Sequence, residues 1–192
     1  MGGQPLGKTG PLRWLEVRRH SFTKKGEGRD RGSHLSEEGV QAARRVGSGM
    51  GPFAYVVAST APRTAETALA MGFAVDEIVE MGSGYVGGVA HHDQWTWKAP
   101  YLRYRTLLDT EGPLTVAAAA ELDRWRYVLA RVPDRGAALL IGHGGTIEPT
   151  LVTALPHADY VAWGAPFSHL DGARLAFEED RFISIDFERH GS

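Results

Sequence analysis

The chain has 192 residues, a hydrophobic share of 43% and a charged share of 23%, which are typical of one globular domain with a substantial core. It contains no cysteine, and this excludes disulfides, thiolate metal sites and cysteine nucleophiles. No apolar run approaches the roughly 20 residues of a membrane-spanning helix, so we expect no membrane partner and a cytoplasmic location.

Strands and helices alternate along the chain in the predicted structure. We expect residues 1–12 to form a flexible N-terminal tail and residues 13–192 to form a single domain. The predicted strands are residues 13–18, 53–58, 74–79, 137–141, 174–177 and 182–187, and the predicted helices begin near Ser36 and cover residues 61–71, 115–132 and 146–155. This alternation predicts an α/β fold, a three-layer α/β/α sandwich with a mostly parallel central sheet and a C-terminal hairpin.

Residues 81–112 have no clear hydrophobic period and contain several glycines and aromatic side chains. A long irregular segment in a compact domain is often a lid or a binding loop, so we expect an irregular cap or lid here. His91, His92 and Asp93 lie within it, but adjacent residues rarely point at one ion, and we expect no metal site. The aromatic residues, among them Trp95, either line a substrate pocket or form the core of the cap.

Positive charge is concentrated in the first third of the chain. The net charge is −2, but Lys and Arg outnumber Asp and Glu by six in residues 1–63 and are outnumbered by eight in residues 64–192. General nucleic-acid binding usually needs a basic domain, whereas this distribution favours one local site for a small anion. We therefore expect a small anionic ligand and no nucleic acid.

Three predicted strand ends carry residues suited to phosphoryl chemistry. Arg19 and His20 follow the first strand, Arg63 lies beyond the second, and His143 follows strand 137–141. The carboxyl ends of parallel strands share one edge of a sheet, so these side chains are expected to converge. Guanidinium groups offer forked donors to phosphate oxygens, and a neutral imidazole can attack phosphorus. The pattern predicts a phosphoryl pocket with His20 as the nucleophile.

Four motifs along the chain occur in an order that is known from one protein family. They are Arg19-His20, residues 35–42 (LSEEGVQA), residues 59–68 (STAPRTAETA) and residues 142–145 (GHGG). In this order they resemble the Arg-His-Gly signature, the Leu-Thr-x-x-Gly-x-x-Gln-Ala helix start, the Ser-x-x-x-Arg-Thr-x-x-Thr-Ala segment and the second-histidine motif of the histidine phosphatase superfamily. The resemblance implies the phosphoglycerate mutase-like fold of that superfamily.

The resemblance also implies a two-step reaction that needs no metal and no cofactor. His20 attacks phosphorus and becomes phosphohistidine. A carboxylic acid protonates the leaving oxygen and then, as a carboxylate, takes a proton from the attacking water. The residues implied to bind the substrate phosphate are Arg19, Ser21, Thr23, Arg63, His143 and Gly144.

The identity of the acid depends on which branch of the family the chain resembles. One branch has Asp directly after the second histidine, where this chain has Gly144. The other branch has Glu after the third strand and a glycine four residues later, as Glu80 and Gly84 are arranged here. Glu80 is therefore the favoured acid and Glu77 its rival, and the alternative is that Glu80 is an ordinary surface residue.

Two positions near the nucleophile depart from the family pattern. Ser21 replaces the glycine that follows the histidine, and Gly26 replaces a frequent asparagine. The Ser21 hydroxyl either donates a further hydrogen bond or is simply tolerated. The basic residues of the following loop either compensate for the asparagine or are solvated; they are Lys24, Lys25, Arg29 and Arg31.

The leading functional hypothesis is a metal-independent phosphatase that hydrolyses a phosphomonoester. The alternatives are a phosphoglycerate mutase-type phosphotransferase and a non-catalytic phosphate-binding protein. The expected partner is a small phosphorylated substrate, and a homodimer is possible. His34, His157 and His169 are interpreted as ordinary polar residues, and Glu148 is close enough in sequence to His143 to reach the site.

Overall fold

A single six-stranded sheet forms the centre of the computed structural model, which describes residues 12–26, 33–82 and 94–190. The strands are β1 (Arg13–Arg19), β2 (Tyr55–Ser59), β3 (Glu77–Val79), β4 (Ala137–Gly142), β5 (Gly172–Glu178) and β6 (Arg181–Glu188). Their order across the sheet is β3-β2-β4-β1-β5-β6. The first four of these are parallel neighbours, whereas β5 runs antiparallel to β1 and β6 antiparallel to β5.

Helices cover both faces of the sheet. They are α1 (Glu37–Gly47), α2 (Pro62–Ala70), α3 (Pro100–Leu108), α4 (Pro113–Leu129) and α5 (Ile147–Ala154), together with a short 3-10 helix at Gln94–Thr96. One apolar core joins α1 and α2 to the sheet, and a larger one joins α3, α4 and α5 to its other face. The predicted three-layer α/β/α sandwich with a mostly parallel sheet is confirmed.

Local sequence signals explain where several of these elements begin. The Ser36 hydroxyl accepts a hydrogen bond from the Gly39 amide and so caps α1, and acidic residues in the first turn suit the helix dipole. Pro62 and Pro113 occupy the first turns of α2 and α4, where the missing N–H is not needed. Strand β4 is buried along its whole length because helices cover it on both faces.

The boundaries differ from the predictions most clearly between β3 and α4. Strand β3 begins at Glu77 and has three residues, so the predicted strand at 74–79 is too long. The expectation of irregular structure over residues 81–112 is wrong for Pro100–Leu108, which form α3. Tyr101 and Tyr104 face the core on this helix, but polar neighbours mask their spacing in the sequence. Residues 83–93 and 1–11 lie outside the described residues, including His91, His92 and Asp93.

The sheet topology brings several chain segments to one edge. Arg19 at the end of β1 lies beside Gly142 at the end of β4, and Ser59 at the end of β2 lies beside Val79 of β3. Because β5 is antiparallel to β1, its first residue, Gly172, also lies at this edge. The segments that follow four strands and the segment that precedes β5 therefore meet there. Within the described ranges, no helix combines the length and the apolar composition that a bilayer span requires.

Candidate active site

His20 leaves the end of β1 with its side chain buried and its tautomer fixed. Its backbone amide donates to the Gly142 carbonyl at 3.0 Å, which extends the pairing of β1 with β4. The ring Nδ1 lies 2.7 Å from the Ser21 carbonyl oxygen. A carbonyl oxygen only accepts, so Nδ1 carries the proton and the lone pair is on Nε2.

The same surroundings keep the His20 imidazole uncharged. Burial lowers the pKa of His20 well below its usual value, and the nearby His143, Arg19 and Arg63 lower it further. The Ser21 carbonyl acts in the opposite direction but does not outweigh them. At neutral pH the ring is therefore a neutral nucleophile whose Nε2 is free of a proton.

His143 faces His20 and has a defined hydrogen-bond pattern of its own. The two ring centroids are 5.4 Å apart. His143 Nδ1 lies 3.3 Å from Arg63 Nη2, and Nε2 lies 2.8 Å from Ser59 Oγ. A guanidinium only donates, so Nδ1 accepts and Nε2 donates its proton to Ser59. Burial, followed by Arg63 and Arg19, lowers the pKa of His143 to about 3.

Two guanidinium groups border this pair of imidazoles. Arg63 belongs to the first turn of α2 and is only 6% exposed. Arg19 Nη1 donates to the Phe167 carbonyl at 2.7 Å, and its guanidinium lies 5.0 Å from the centroid of the Trp95 ring. Both cations lower the pKa values of His20 and His143. The expected convergence of these four side chains is thus present in the structure.

Gly144 leaves space for one of these cations. A Cβ atom placed on Gly144 would lie 3.2 Å from both Cδ and Nε of Arg19. A side chain at this position would therefore press on the guanidinium. Gly144 thus lets the Arg19 side chain lie directly against the second-histidine loop.

Ser21 and Thr23 are held by neighbouring backbone. Ser21 Oγ donates to the Gly39 carbonyl at 2.7 Å, and the Ser21 amide donates to Thr67 Oγ1 at 3.0 Å. The hydroxyl proton is thus engaged with α1 and is not offered to a phosphate in this arrangement. Thr23 is half-buried and pairs with Leu35 in an isolated antiparallel bridge. Lys24 and Lys25 are exposed, whereas Arg29 and Arg31 lie outside the described ranges.

Of the two candidate acids, only Glu80 lies at the edge that carries the histidines. Glu80 directly follows β3 and is exposed, and its Oε2 accepts a hydrogen bond from Thr60 Oγ1 at 3.1 Å. Glu77 begins β3 and therefore lies at the other end of that strand. It accepts hydrogen bonds from the hydroxyl groups of Tyr55 and Tyr127, and these hold its pKa below the usual value.

Glu148 connects the second-histidine loop to the segment before β5. Its Oε2 accepts from the Gly145 amide at 2.6 Å, and its Oε1 accepts from the Phe167 amide at 3.1 Å. The side chain is completely buried, which raises its pKa. Sequence reasoning placed Glu148 near the site but gave it no such role, because Phe167 is distant in sequence.

His169 also lies at the site, although its sequence context gave no reason to single it out. Its ring centroid is 5.5 Å from that of His20 and 4.6 Å from that of Phe22. The signal that would have found it is the antiparallel pairing of β5 with β1, which sequence periodicity does not reveal. Among the described residues, no group of three or more His, Asp or Glu side chains is arranged to hold a metal ion.

Comparisons with known proteins identify the fold. No family model and no curated protein matches the chain. A solved mycobacterial glucosyl-3-phosphoglycerate phosphatase is 19% identical, with a TM-score of 0.60 over 86% of this chain and 90% of that chain. YhfR of Bacillus stearothermophilus is 19% identical, with a TM-score of 0.61 over 89% of this chain and 94% of that one.

A third solved structure, a putative phosphohistidine phosphatase SixA from Nakamurella multipartitia, is 21% identical to the chain. Its TM-score is 0.53, and the match covers 93% of this chain and 98% of that chain. Similarity at such low identity establishes the fold. The chain shares its fold with these solved structures, and this is the phosphoglycerate mutase-like fold that its four motifs predicted.

Proposed function

We propose that the protein is a metal-independent phosphatase that hydrolyses a phosphomonoester through a phosphohistidine intermediate on His20. The observation that carries this proposal is the state of that imidazole. It is buried and neutral, its Nδ1 proton is bound to the Ser21 carbonyl, and its Nε2 lone pair is available beside two guanidinium groups. Two of the fold's solved representatives have phosphatase names, which supports the same reaction class.

In the first step, Nε2 of His20 attacks phosphorus while the bond to the ester oxygen breaks. Arg19 and Arg63 donate hydrogen bonds to the non-bridging oxygens, where negative charge is concentrated in the transition state. Glu80, in its protonated form, gives its proton to the leaving oxygen. The alcohol product departs, and the phosphoryl group remains on Nε2.

In the second step, water attacks phosphorus and the bond between phosphorus and Nε2 breaks. The Glu80 carboxylate takes a proton from that water, which returns the acid to its starting form. A ring that is phosphorylated on Nε2 while Nδ1 keeps its proton is cationic, and the Ser21 carbonyl stabilises that cation. The products are inorganic phosphate and neutral His20.

His143 assists by responding to the charge of the bound group. Without an anion, its Nδ1 accepts a hydrogen bond from Arg63. A bound phosphoryl group adds negative charge beside the ring and so favours the protonated imidazole. Nδ1 then donates to a phosphoryl oxygen, while Nε2 keeps its hydrogen bond to Ser59.

Replacement of the nucleophile tests the proposal directly. Wild-type protein is expected to release p-nitrophenol from p-nitrophenyl phosphate in the presence of EDTA, and acid-labile phosphoenzyme is expected after rapid quenching. His20→Ala should lose both activities by at least about 1,000-fold, because no other group forms the covalent intermediate. The matched control is His157→Ala, since His157 is exposed. Turnover that persists in His20→Ala would remove the assignment.

The substrate is a small phosphorylated molecule, and its identity is a matter for a substrate panel. The panel should contain sugar phosphates, phosphoglycerate derivatives, nucleotides and a protein phosphohistidine. Incubation with 3-phosphoglycerate and 2,3-bisphosphoglycerate separates a phosphatase, which releases phosphate, from a mutase, which returns the phosphoryl group to the acceptor. The expected compartment is the cytosol. The fold comparisons do not support the homodimer considered from the sequence.

A further inference from the structure

A third imidazole faces the nucleophile from the side opposite His143. The rings of His20 and His143 are 5.4 Å apart at an interplanar angle of 63°, and those of His20 and His169 are 5.5 Å apart at 66°. His143 follows β4, and His169 precedes β5. These two strands flank β1 on opposite sides. The nucleophile is therefore bracketed by two rings in nearly the same geometry.

The ring nitrogens of His169 are available to a ligand. Within the described ranges, the ring contacts His20 and Phe22 and forms no hydrogen bond. The other two imidazoles of the site each bind a defined protein partner through at least one nitrogen. Neither nitrogen of His169 is among the described buried polar atoms that lack a partner, so both keep surface that a ligand can reach.

The backbone around His169 is fixed in place by several hydrogen bonds. The Leu170 amide donates to the Arg19 carbonyl at 3.1 Å, and the Ser168 amide donates to Asp171 Oδ2 at 2.9 Å. Leu170 itself has a φ of 66°, a left-handed conformation that bulky residues rarely adopt and that the surrounding contacts must maintain. Arg189 adds hydrogen bonds to the Pro166 carbonyl and to Asp171. The position of His169 is thus set before any ligand binds.

The charges near His169 favour a neutral ring that can donate one hydrogen bond. Burial and the Arg19 guanidinium lower the pKa of His169 to about 4, and Asp171 opposes them only in part. At neutral pH the ring therefore carries one N–H and one lone pair. An N–H beside an arginine and a nucleophilic histidine is suited to an anionic oxygen.

We propose that His169 is a further phosphoryl-binding residue, whose N–H donates to a non-bridging oxygen of the group bound at His20. This inference rests on the proposed function in that it takes His20 as the phosphoryl acceptor. Arg63 and His143 supply donors on one side of the nucleophile, and His169 supplies one on the side next to β5, where Arg19 binds the Phe167 carbonyl. With donors on both sides, the transferring group is held while charge spreads over its three oxygens.

Substitutions that separate packing from hydrogen bonding test the assignment. His169→Phe keeps an aromatic ring against Phe22 but has no N–H, whereas His169→Gln keeps a donor. Affinity for inorganic orthovanadate and kcat/KM for p-nitrophenyl phosphate are measured for both variants. His169→Phe is expected to weaken vanadate binding and kcat/KM each by about 10- to 100-fold, and His169→Gln should recover part of both. His157→Phe, at an exposed histidine, is the matched control.

The outcomes separate this inference from the proposed function. If His169→Phe equals wild type in vanadate affinity and in kcat/KM, the inference is wrong while the phosphatase assignment stands. A wild-type protein that binds vanadate without hydrolysing any ester contradicts the phosphatase assignment, and the affinities still decide the role of His169. A wild-type protein that binds neither vanadate nor phosphate overturns both.

A measurement on the unmodified chain covers the case in which His169→Phe does not fold. Histidine side-chain NMR spectra of wild type are recorded with and without saturating vanadate, and the His169 signals are assigned by their loss in His169→Gln. A donor to the bound group should show a large change in its ring nitrogen or Cε1 shift. Unchanged His169 signals, beside shifted His20 and His143 signals, would overturn the inference.

Discussion

The residues on either side of the nucleophile explain how this chain accepts serine after the catalytic histidine. The Ser21 carbonyl orients the imidazole, and a backbone carbonyl performs this task whatever side chain it belongs to. The added hydroxyl is accommodated because the Gly39 carbonyl accepts its proton. Gly39 is itself required, since a Cβ there would lie 2.1 Å from the Phe22 carbonyl oxygen. The glycine in the helix-start motif thus lets α1 approach the nucleophile loop.

The assignment of Glu80 as the acid leads to a prediction about leaving groups. Glu80→Gln removes the transferable proton but keeps the side-chain size and an acceptor for Thr60. We expect kcat/KM to fall by about 100-fold or more for an alkyl phosphate, whose leaving alcohol needs a proton, and much less for p-nitrophenyl phosphate. Steady-state kinetics on the two substrates measure the difference.

Glu77→Gln serves as the control for that experiment, because Glu77 lies at the opposite end of β3 and binds Tyr55 and Tyr127. It should leave the ratio of the two substrates unchanged. An equal loss on both substrates in Glu80→Gln would mean that Glu80 positions the site without transferring a proton.

At the residue scale, sequence was informative where a side chain directly follows a parallel strand. The joint position of His20 and His143 follows from that rule. Arg19 and Arg63 lie close to the same strand ends, as the last residue of β1 and in the first turn of α2. The rule did not find His169, because this residue precedes an antiparallel strand. Such pairing depends on residues far apart in the chain.

At the scale of elements, the site is assembled from loops that one buried carboxylate connects. Glu148 in α5 accepts amide protons from Gly145, next to the second histidine, and from Phe167, two residues before His169. Phe167 in turn accepts from Arg19 through its carbonyl. A carboxylate suits this place because its two oxygens satisfy two amide donors at once.

Replacement of that carboxylate should loosen the site more than it destabilises the protein. Glu148→Gln leaves one oxygen for two amide donors and turns an NH₂ group toward the other, so we expect one of the loops to shift. The predicted result is a fall in kcat/KM of about 10-fold or more and weaker vanadate binding. Stability should fall by about 1–3 kcal/mol, the cost of an unsatisfied buried group.

Glu121→Gln is the matched control, since Glu121 is also a buried glutamate but binds Arg124 and Trp125 within α4. It should lose stability in a similar way and keep its vanadate affinity. If the two variants lost equal amounts of activity at equal loss of stability, Glu148 would have a structural role only.

Element prediction succeeded where hydrophobic patterns were continuous and failed where they were short or masked. Strand β4 has an unbroken apolar sequence and was located to within one residue of its end at Gly142. Helix α3 was missed because the exposed Leu102 lies between its two buried tyrosines, which weakens the helical period of the apolar residues. Its position is set by packing against α5 and α4, which no local pattern encodes.

At the scale of the whole molecule, the arginines in the basic first third of the chain have two different roles. Arg19 and Arg63 face the histidines, as a small-anion site requires. Arg18 is completely buried on the neighbouring side of β1, where it pairs with Glu16 and Glu188. Its charge is compensated, so it stabilises the sheet edge and does not attract an anion. The structure thus places Arg19 and Arg63 beside the histidines, where both lower the pKa values of His20 and His143, and keeps Arg18 in a separate ion-pair cluster.

This arrangement predicts that stability decreases as the pH falls below neutrality. In the folded chain the pKa of His20 lies well below its usual value, that of His143 is lowered to about 3 and that of His169 to about 4. All three rings are therefore neutral at neutral pH. In the unfolded chain, imidazoles bind protons near their normal pKa of about 6.5. Between pH 6.5 and about 4 the unfolded state therefore binds more protons, and a lower pH favours unfolding. Urea denaturation at pH 7, 6 and 5 should give a decreasing free energy of unfolding.

A substitution at His143 measures how much this residue contributes to the pH dependence of the free energy of unfolding. His143 faces His20, Arg63 and Arg19, and its share is about 1.4 kcal/mol per pH unit once the pH is well below 6.5. His143→Gln should therefore show a shallower decrease between pH 6 and 5 than wild type. His157→Gln, at an exposed histidine, should keep the wild-type slope. An unchanged slope in His143→Gln would mean that His143 is not held neutral in the folded protein.

Anion binding should weaken the pH dependence of stability, because a dianion in the site stabilises protonated imidazoles next to Arg19 and Arg63. Sulfate is the suitable probe, since its charge stays constant over this range of pH. We expect saturating sulfate to flatten the pH dependence of the free energy of unfolding in wild type, relative to sodium chloride at equal ionic strength. General stabilisation by sulfate would raise stability equally at every pH. Sulfate should flatten the pH dependence less in His143→Gln than in wild type. If sulfate left the pH dependence of wild type unchanged, anion binding would not be coupled to protonation of His143.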